Sequence, residues 1–295
     1  MIRFATKALE KILGALRRME SRSGTPSMNR HYKEIIKSTS VHDMVETADE
    51  AYYGDQYWHW ISKYLESEKL SREGIYADVG CGQGRLAMRL SKWLSPGGTV
   101  SGCDISESAI GEARRYAKEN GMDNISYEVS DALSFLKSQP SGSLHGVLFI
   151  EVAFVTPGYA DVLKEAKRVL KPGGLLFASF RPQYFNLLYA TSSDKLEDAN
   201  KILSSRSGVL WGGNITYTWQ TSWEVEKLFE DNLGMQLLNL VGIGCVSGIE
   251  GDPHEKLARP SRLDTDTRDK LMQLEIKLGE MMPDGGRYVL AIAKK

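Results

Sequence analysis

The spacing of apolar residues predicts alternating strands and helices from about residue 74 to residue 180. Short apolar runs end at glycine or acidic residues, and segments with apolar residues every three or four positions lie between them. The predicted strands cover 75–79, 99–104, 125–129, 146–150 and 175–180, and the predicted helices cover 86–94, 106–120 and 160–170. This alternation predicts an α/β fold with a mostly parallel sheet and helices on both faces.

The regular alternation of strands and helices ends after residue 181. Helical spacing recurs at 186–203 and 223–233, and an aromatic segment covers 211–223. Two further strand-like runs cover 237–245 and 288–293. Two strands added to the first five make a seven-stranded sheet. We therefore predict one domain over 71–295, with insertions near 182–222 and 247–286.

The first residues form a separate pattern. Apolar residues recur at helical spacing from Ile2 to Met19, and lysine and arginine side chains surround them. This pattern predicts a basic amphipathic helix at 2–19, followed by a linker at 21–27. Such a helix docks on its own domain, on a second subunit or on a membrane surface. Glu10 and Glu20 argue against a transit peptide, because those segments are poor in acidic residues.

Composition excludes several classes of protein. The chain has 295 residues, 42% apolar and 25% charged, and a formal net charge of -1, so nothing in its charge favours binding to nucleic acid. Its three cysteines fit no zinc or redox spacing, which predicts reduced thiols, no metal site and a cytoplasmic location. No apolar run approaches the roughly 20 residues that a membrane span needs.

A glycine-rich turn follows the first predicted strand. Gly80, Gly82 and Gly84 lie between that strand and the next helix, where a chain without Cβ atoms lets a ligand approach the backbone. The helix N-terminus adds free N–H donors. A dinucleotide-binding loop that begins at Gly80 has its third glycine at position 85, which is Arg85 here. The turn alone therefore indicates a nucleotide-like ligand.

Two acids flank this turn. Asp78 precedes it at the end of the first strand, where a carboxylate suits a ligand with an ammonium group. Asp104 ends the second strand, 20 residues after Gly84. A carboxylate there can accept hydrogen bonds from both hydroxyls of a ribose.

The segment Asp78–Gly84 resembles motif I of the class I S-adenosylmethionine-dependent methyltransferases, and 170–174 resembles the turn before their fifth strand. The resemblance covers residues 50–295 and implies the strand order 3-2-1-4-5-7-6, with the last strand antiparallel. It also implies that Asp104 binds the ribose and Asp131 the adenine amino group of S-adenosylmethionine. The expected cofactor-binding residues are Asp78, Gly80, Cys81, Gly82, Gly84, Asp104, Ile105, Asp131, Ala132, Tyr53 and Tyr57.

Aromatic residues suggest where the lid and the acceptor pocket lie. In similar enzymes a segment before the first strand closes over the cofactor, so the resemblance implies a helical lid over 28–70 that includes Tyr53 and Tyr57. The region after the fifth strand builds the acceptor pocket, which makes Trp211 and Trp219 candidates for substrate contact. Arg181 is a candidate for an acidic acceptor. The alternatives are core packing for the aromatic residues and a surface ion pair for Arg181.

Methyl transfer needs mainly a nucleophile held in line with the methyl group. Glu151, at the end of the fourth strand, is the best-placed candidate base, with a structural ion pair as its alternative role. His59 is a second candidate. His145 precedes the fourth strand and is expected at the opposite end of the sheet.

Other activities on this fold fit less well. Nucleic-acid amino-methylation usually shows an (N/D)PP(Y/F) motif after the fourth strand, where this chain has Glu151-Val152-Ala153-Phe154. We therefore expect transfer to an oxygen or nitrogen of a small molecule. A non-catalytic S-adenosylmethionine-binding or scaffold protein is the alternative, and a nicotinamide oxidoreductase is less favoured.

Overall fold

A computed structural model describes residue 45, residues 47–249 and residues 254–295. The amphipathic helix predicted at 2–19 and the linker predicted at 21–27 lie outside the described residues. So does most of the first half of the lid predicted at 28–70.

The first part of the described chain alternates helix and strand as predicted. Its elements are α1 (Ala48–Ser67), β1 (Ile75–Val79), α2 (Arg85–Trp93), β2 (Thr99–Asp104), α3 (Glu107–Glu119), β3 (Ile125–Val129), α4 (Ala132–Ser138), β4 (Leu144–Phe149), α5 (Tyr159–Val169) and β5 (Leu170–Phe180). The bounds of β1, β2 and β3 equal the predicted ones. β5 begins five residues early because Leu170 already pairs with Leu144 of β4.

The second part builds an insertion and the far edge of the sheet. Its elements are α6 (Gln183–Ser192), α7 (Leu196–Ser204), β6 (Ser207–Val209), β7 (Thr216–Thr218), α8 (Ser222–Lys227), β8 (Gln236–Ile243), α9 (Thr265–Met281) and β9 (Tyr288–Lys294). The single helix predicted over 186–203 is two helices, because Asp194 adopts a left-handed φ of 55° between them. The helix predicted over 223–233 ends in a π-helical turn, Leu228–Asn232.

The seven-stranded sheet has the order β3-β2-β1-β4-β5-β9-β8. The strands β1 to β5 pair in parallel, and β9 pairs antiparallel with both β5 and β8. Numbered without the small β6–β7 sheet, this order is 3-2-1-4-5-7-6 with the last strand antiparallel. The predicted fold class is therefore confirmed.

Alternate residues of the strands pack in two separate hydrophobic cores, because successive side chains of a strand point to opposite faces of the sheet. Tyr76, Leu148 and Phe177 pack in one buried cluster with residues of α1, α2 and α9. Their sequence neighbours Val147 and Leu176 pack in the other cluster with residues of α4 and α5. The parallel strands between these layers end at one edge of the sheet, and loops that follow their carboxyl ends meet there.

None of the helices that the structure describes is long and apolar enough to cross a membrane. None of the three cysteines, which all lie in the described part of the chain, forms a disulfide. Within the described residues, no group of three or more histidine, cysteine, aspartate or glutamate side chains is arranged to hold a metal ion.

A glycine in α9 tests how this helix packs on the sheet. A Cβ at Gly279 would collide with the carbonyl oxygen of Gly242 in β8. We therefore expect Gly279→Ala to lower the free energy of unfolding by about 1–3 kcal/mol, measured by urea denaturation. Gly111→Ala in α3 is the matched control, because its Cβ meets no atom within 4 Å. It should stabilise the protein by about 0.5–1 kcal/mol. Stabilisation by both substitutions would contradict the close packing of α9 on β8.

Candidate functional site

The turn after β1 is folded by its own backbone. The N–H groups of Gly80 and Cys81 both donate to the carbonyl oxygen of Cys103 in β2, at 2.8 and 2.9 Å. Gly80, Gly82 and Gly84 have φ values of 76°, 52° and 86°, which glycine adopts without steric cost. The turn therefore leads directly from the strand into α2.

The three glycines differ in what surrounds them. A Cβ at Gly80 would collide with Val152, and a Cβ at Gly84 would collide with the hydroxyl of Tyr127. A Cβ at Gly82 would meet no atom within 4 Å. The first and last glycines are therefore needed for packing within the protein, whereas Gly82 faces open space that a ligand can approach.

Asp104 and Asp131 lie at the ends of the two neighbouring strands. Oδ2 of Asp104 accepts the N–H of Gly82 at 3.0 Å, and Oδ1 accepts the N–H of Ser106 at 2.8 Å. Each carboxylate oxygen has a second lone pair, so both can still accept from ligand hydroxyls. Asp131 caps α4, which begins at Ala132, because its Oδ1 accepts the N–H of Ser134 at 2.9 Å. Ile105, next to Asp104, is half-buried.

Asp78 is buried below the turn. Burial raises the pKa of this carboxyl to about 7, against the opposing effects of the Ala87 N–H and the Arg85 charge. At neutral pH a cationic ligand next to Asp78 would favour the ionised form. Burial also holds the pKa of the Cys81 thiol well above its ordinary value, so Cys81 stays neutral and is no nucleophile.

A buried ion-pair network lies beside the turn. Arg85, the first residue of α2, binds Oε2 of Glu50 through Nη1 at 3.0 Å and Oε1 of Glu151 through Nη2 at 3.1 Å. The side chains of Arg85, Glu50 and Glu151 are 7%, 17% and 13% exposed. Gly54 makes room for this arginine, because a Cβ there would lie 3.0 Å from its Cδ. The network therefore fastens α1 over the carboxyl edge of the sheet.

Glu151 has a strained backbone. Its φ is 59°, a left-handed value that costs a non-glycine residue on the order of 1–3 kcal/mol. Its N–H donates to Oγ of Ser179 at 2.7 Å, which holds this conformation. Burial and the negative charge of Glu151 raise the pKa of Glu50, and the charge of Arg85 opposes them.

Arg181, just past β5, is enclosed by aromatic rings. Its Cζ lies 4.7, 4.5 and 4.1 Å from the ring centroids of Phe154, Phe185 and Tyr288. Nη1 donates to the carbonyl oxygen of Arg287 at 3.2 Å, and Nη2 donates to the hydroxyl oxygen of Tyr288 at 2.8 Å. The side chain is buried, and burial lowers the pKa of the guanidinium. The surface ion pair considered for Arg181 therefore does not form with any described residue.

The predicted lid tyrosines point inward from α1. Tyr53 and Tyr57 are fully buried, and the Tyr53 hydroxyl donates to the carbonyl oxygen of Ser247 at 3.0 Å. The Tyr57 ring lies 6.4 Å from that of Tyr288. Burial, with the negative charge of Glu151 as the next contribution, keeps the pKa of Tyr57 well above its usual range. Tyr57 is therefore neutral and lies near Glu151.

Three predicted residues do not join this group. His59 is on the exposed side of α1, where burial and the charge of Lys63 lower its pKa. Trp211 packs on Tyr189, with ring centroids 4.3 Å apart. Trp219 is fully buried in the insertion, and its indole N–H donates to the carbonyl oxygens of Ile202 and Ser205. His59 therefore lies outside the group of residues around Glu151. The two tryptophans make structural contacts within the insertion.

The aromatic residue that the insertion does bring to the site is Tyr217. Its ring stacks on Phe154 at 6.3 Å with an interplanar angle of 12°. His145 lies at the opposite end of the sheet, as expected, because its Nδ1 accepts the N–H of Ile75 at the start of β1.

Sequence reasoning missed Glu50, Arg85 and Tyr288. Arg85 was noted only as the position where a dinucleotide loop has glycine. A charged first residue of a helix, directly after a ligand loop, is a signal that could have drawn attention to it. Glu50 and Tyr288 are separated from their partners by 35 and 107 positions, and no local pattern marks them.

Comparisons with known proteins identify methyltransferases as the relatives of this chain. Residues 77–174 match the family model described as a methyltransferase domain. A ubiquinone biosynthesis O-methyltransferase of Thiobacillus denitrificans is 37% identical over 102 residues, which cover 35% of this chain and 42% of the relative. A sterol 24-C-methyltransferase of Pneumocystis carinii is 30% identical over 168 residues, covering 52% of this chain and 41% of that protein. The chain thus spans less than half the length of these curated relatives.

A solved structure shares the fold. The crystal structure of a putative S-adenosylmethionine-dependent methyltransferase from Listeria monocytogenes matches with a TM-score of 0.55 at 17% identity. The match covers 82% of this chain and 97% of that one. At this identity the likeness establishes a common architecture.

Breaking the buried network tests its role in fastening α1. Arg85→Met leaves two buried carboxylates without their cation, so the free energy of unfolding should fall by about 3–5 kcal/mol in urea denaturation. Arg89→Met, one turn later in α2, removes a more exposed pair with Asp55 and should cost about 0–1 kcal/mol. Adding Glu50→Gln to Arg85→Met should restore part of the loss. Equal losses for the two arginine variants would count against the network.

Proposed function

We infer that this chain is a class I S-adenosylmethionine-dependent methyltransferase and that it transfers a methyl group to a small molecule. The observation that carries this proposal is the open loop at Gly82, which lies between β1 and Asp104 and faces space free of protein atoms. The curated relatives are named for methylation in ubiquinone biosynthesis and of sterols, which are small molecules. We propose an oxygen or nitrogen of the acceptor as the methylated atom.

We assign the cofactor contacts residue by residue. Asp78 would hold the ammonium group, Asp104 the ribose hydroxyls and Asp131 the adenine amino group of S-adenosylmethionine. The backbone of 80–84, the short side chain of Cys81 and the residues Ile105 and Ala132 would line the same cleft. Tyr53 and Tyr57 would act from α1 by closing the cleft against water.

The chain's own groups would then position the acceptor and take its proton. When bound, S-adenosylmethionine supplies an electrophilic methyl group on a sulfonium. Transfer of this methyl group would leave S-adenosylhomocysteine as the second product. Glu151 would receive the acceptor's proton on Oε2, because Arg85 binds the other oxygen, Oε1. The aromatic residues Phe154, Tyr57 and Tyr217 would exclude water from the reacting atoms.

Asp104→Ala tests the cofactor assignment. Loss of even one hydrogen bond to the Asp104 carboxylate should weaken binding of S-adenosylmethionine by about 1.5–3 kcal/mol, roughly 10- to 150-fold, in isothermal titration calorimetry. Asp161→Ala is the control, because Asp161 is an acid on α5 that pairs with Lys164 on the protein surface. Unchanged affinity in Asp104→Ala would remove Asp104 from the site.

Binding of S-adenosylmethionine without transfer of its labelled methyl group to any component of a metabolite extract would favour the non-catalytic alternative.

The pKa of Asp78 makes cofactor binding depend on pH. A carboxyl with a raised pKa near 7 is mostly protonated at pH 5.5, and a cationic ligand binds the ionised form. Affinity for S-adenosylmethionine should therefore rise roughly 15-fold from pH 5.5 to pH 7.0, as the ionised fraction rises. Asp78→Asn should bind weakly at both pH values and lose most of this dependence. The same pH dependence in Asp78→Asn would show that another group is responsible.

A further inference from the structure

Arg181 carries a buried positive charge that forms no ion pair with a carboxylate of the described residues. Burial of a guanidinium without a counterion is costly, and buried charges are normally paired. Arg181 is buried among three rings, and no carboxylate of the described residues forms an ion pair with it. Cation–π contacts offset part of this cost, and a negatively charged ligand would offset more.

The charges near Arg181 favour an anion from outside. The Cζ of Arg287 lies 6.0 Å from the rings of Phe185 and Tyr288, the same rings that contact Arg181. Its positive charge adds to burial in lowering the pKa of Arg181. The carboxylates of Glu50 and Glu151 form their ion pairs with Arg85, and the charge of Glu151 acts on Arg181 only as a smaller effect that opposes the lowering of its pKa. Arg181 and Arg287 thus contact the same two rings, and Arg181 is the one whose described partners are a carbonyl and a hydroxyl oxygen.

We propose that Arg181 binds a carboxylate of the methyl acceptor, an inference that rests on the proposed function. A guanidinium has five donors in a planar fork that matches a carboxylate, and Arg181 uses one on Arg287 and one on Tyr288. The Tyr288 oxygen accepts from Arg181, which leaves its own proton to donate to the same anion. Arg181 and Tyr288 together form the anion-binding wall.

The anion-binding wall suits a carboxylate better than a phosphate. A phosphate usually collects additional backbone donors from a helix N-terminus. The helix that starts next to Arg181 is α6, where Pro182 has no N–H and the N–H of Gln183 already donates to Gln220. A two-oxygen anion needs no further donors.

The position of Arg181 also indicates the size of the acceptor. Arg181 follows β5, and the cofactor turn follows β1, two strands away in the order β1-β4-β5. At about 4.8 Å per strand the separation is roughly 10 Å. The carboxylate therefore anchors the acceptor at a distance from the cofactor turn and is not itself methylated. The body of the acceptor would lie along the rings of Phe154, Tyr57 and Tyr288, which suits a planar apolar skeleton with its nucleophile at the far end.

The test measures binding of simple acids to the protein saturated with S-adenosylhomocysteine. 4-Hydroxybenzoate, cinnamate and 3-phenylpropanoate are titrated by calorimetry beside their amides and inorganic phosphate. We expect at least one acid to bind, and its amide to bind at least tenfold more weakly. Arg181→Gln should bind that acid at least tenfold more weakly than the wild type does, while its affinity for S-adenosylhomocysteine stays unchanged. Arg115→Gln, an exposed arginine on α3, should bind as the wild type does.

Two further variants cover the case in which Arg181→Gln does not fold. Arg181→Lys keeps the charge and loses the fork, and Tyr288→Phe keeps the ring and loses the hydroxyl. Each should weaken acid binding about tenfold. Full acid affinity in both would overturn the inference.

The remaining outcomes separate this inference from the proposed function. Equal binding of acids and amides, no binding of any acid, or preference for phosphate would overturn the inference alone, provided that S-adenosylhomocysteine binds. Loss of S-adenosylhomocysteine affinity in Arg181→Gln with acid binding retained would assign Arg181 to the cofactor. Failure of the wild type to bind S-adenosylhomocysteine or S-adenosylmethionine would contradict the proposed function itself.

Discussion

The ion pairs that Arg85 makes with Glu50 and Glu151 are the interaction on which the site depends. They connect α1, the start of α2 and the end of β4, which are the three elements that enclose the space beside the glycine turn. A single buried cation between two carboxylates is stable only while all three members stay in place. The network therefore fixes α1 over the edge of the sheet and fixes the direction of Glu151. Gly54 belongs to this constraint, since a Cβ there would lie 3.0 Å from Cδ of Arg85 and the arginine would have to shift by a few tenths of an ångström.

Each half of the site has its own electrostatic character. Near β1 and β2, Asp78 and Asp104 place two carboxyl groups beside the glycine turn, where the proposed cationic cofactor would bind. Near β5, Arg181 provides positive charge among aromatic rings. The strained Glu151 stands between the two halves, at the end of β4. A positive cofactor on one side and an acidic substrate on the other would together balance the charges that the fold leaves at this edge.

The sequence allowed much of the sheet to be predicted, because its buried strands are short apolar runs with clear ends. β1, β2 and β3 were located to the residue for this reason, and the strand order followed from the family resemblance. The site was only half predictable. Asp78, Gly82 and Asp104 lie in one local pattern, whereas Glu50, Arg85 and Glu151 are brought together only by the packing of α1. His59, Trp211 and Trp219 show the limit of aromatic or histidine content as a signal, since the sequence does not determine which way such a side chain faces.

The most direct measurement is a crystal structure of the protein with S-adenosylhomocysteine. The account predicts that the ribose hydroxyls lie within hydrogen-bond distance of Asp104, that the amino group approaches Asp78, and that the sulfur points toward the space between Glu151 and Arg181. It also predicts that the Arg85 ion pairs persist in the complex. A ligand bound away from Gly82 and Asp104, or a sulfur that points away from Glu151, would contradict the account.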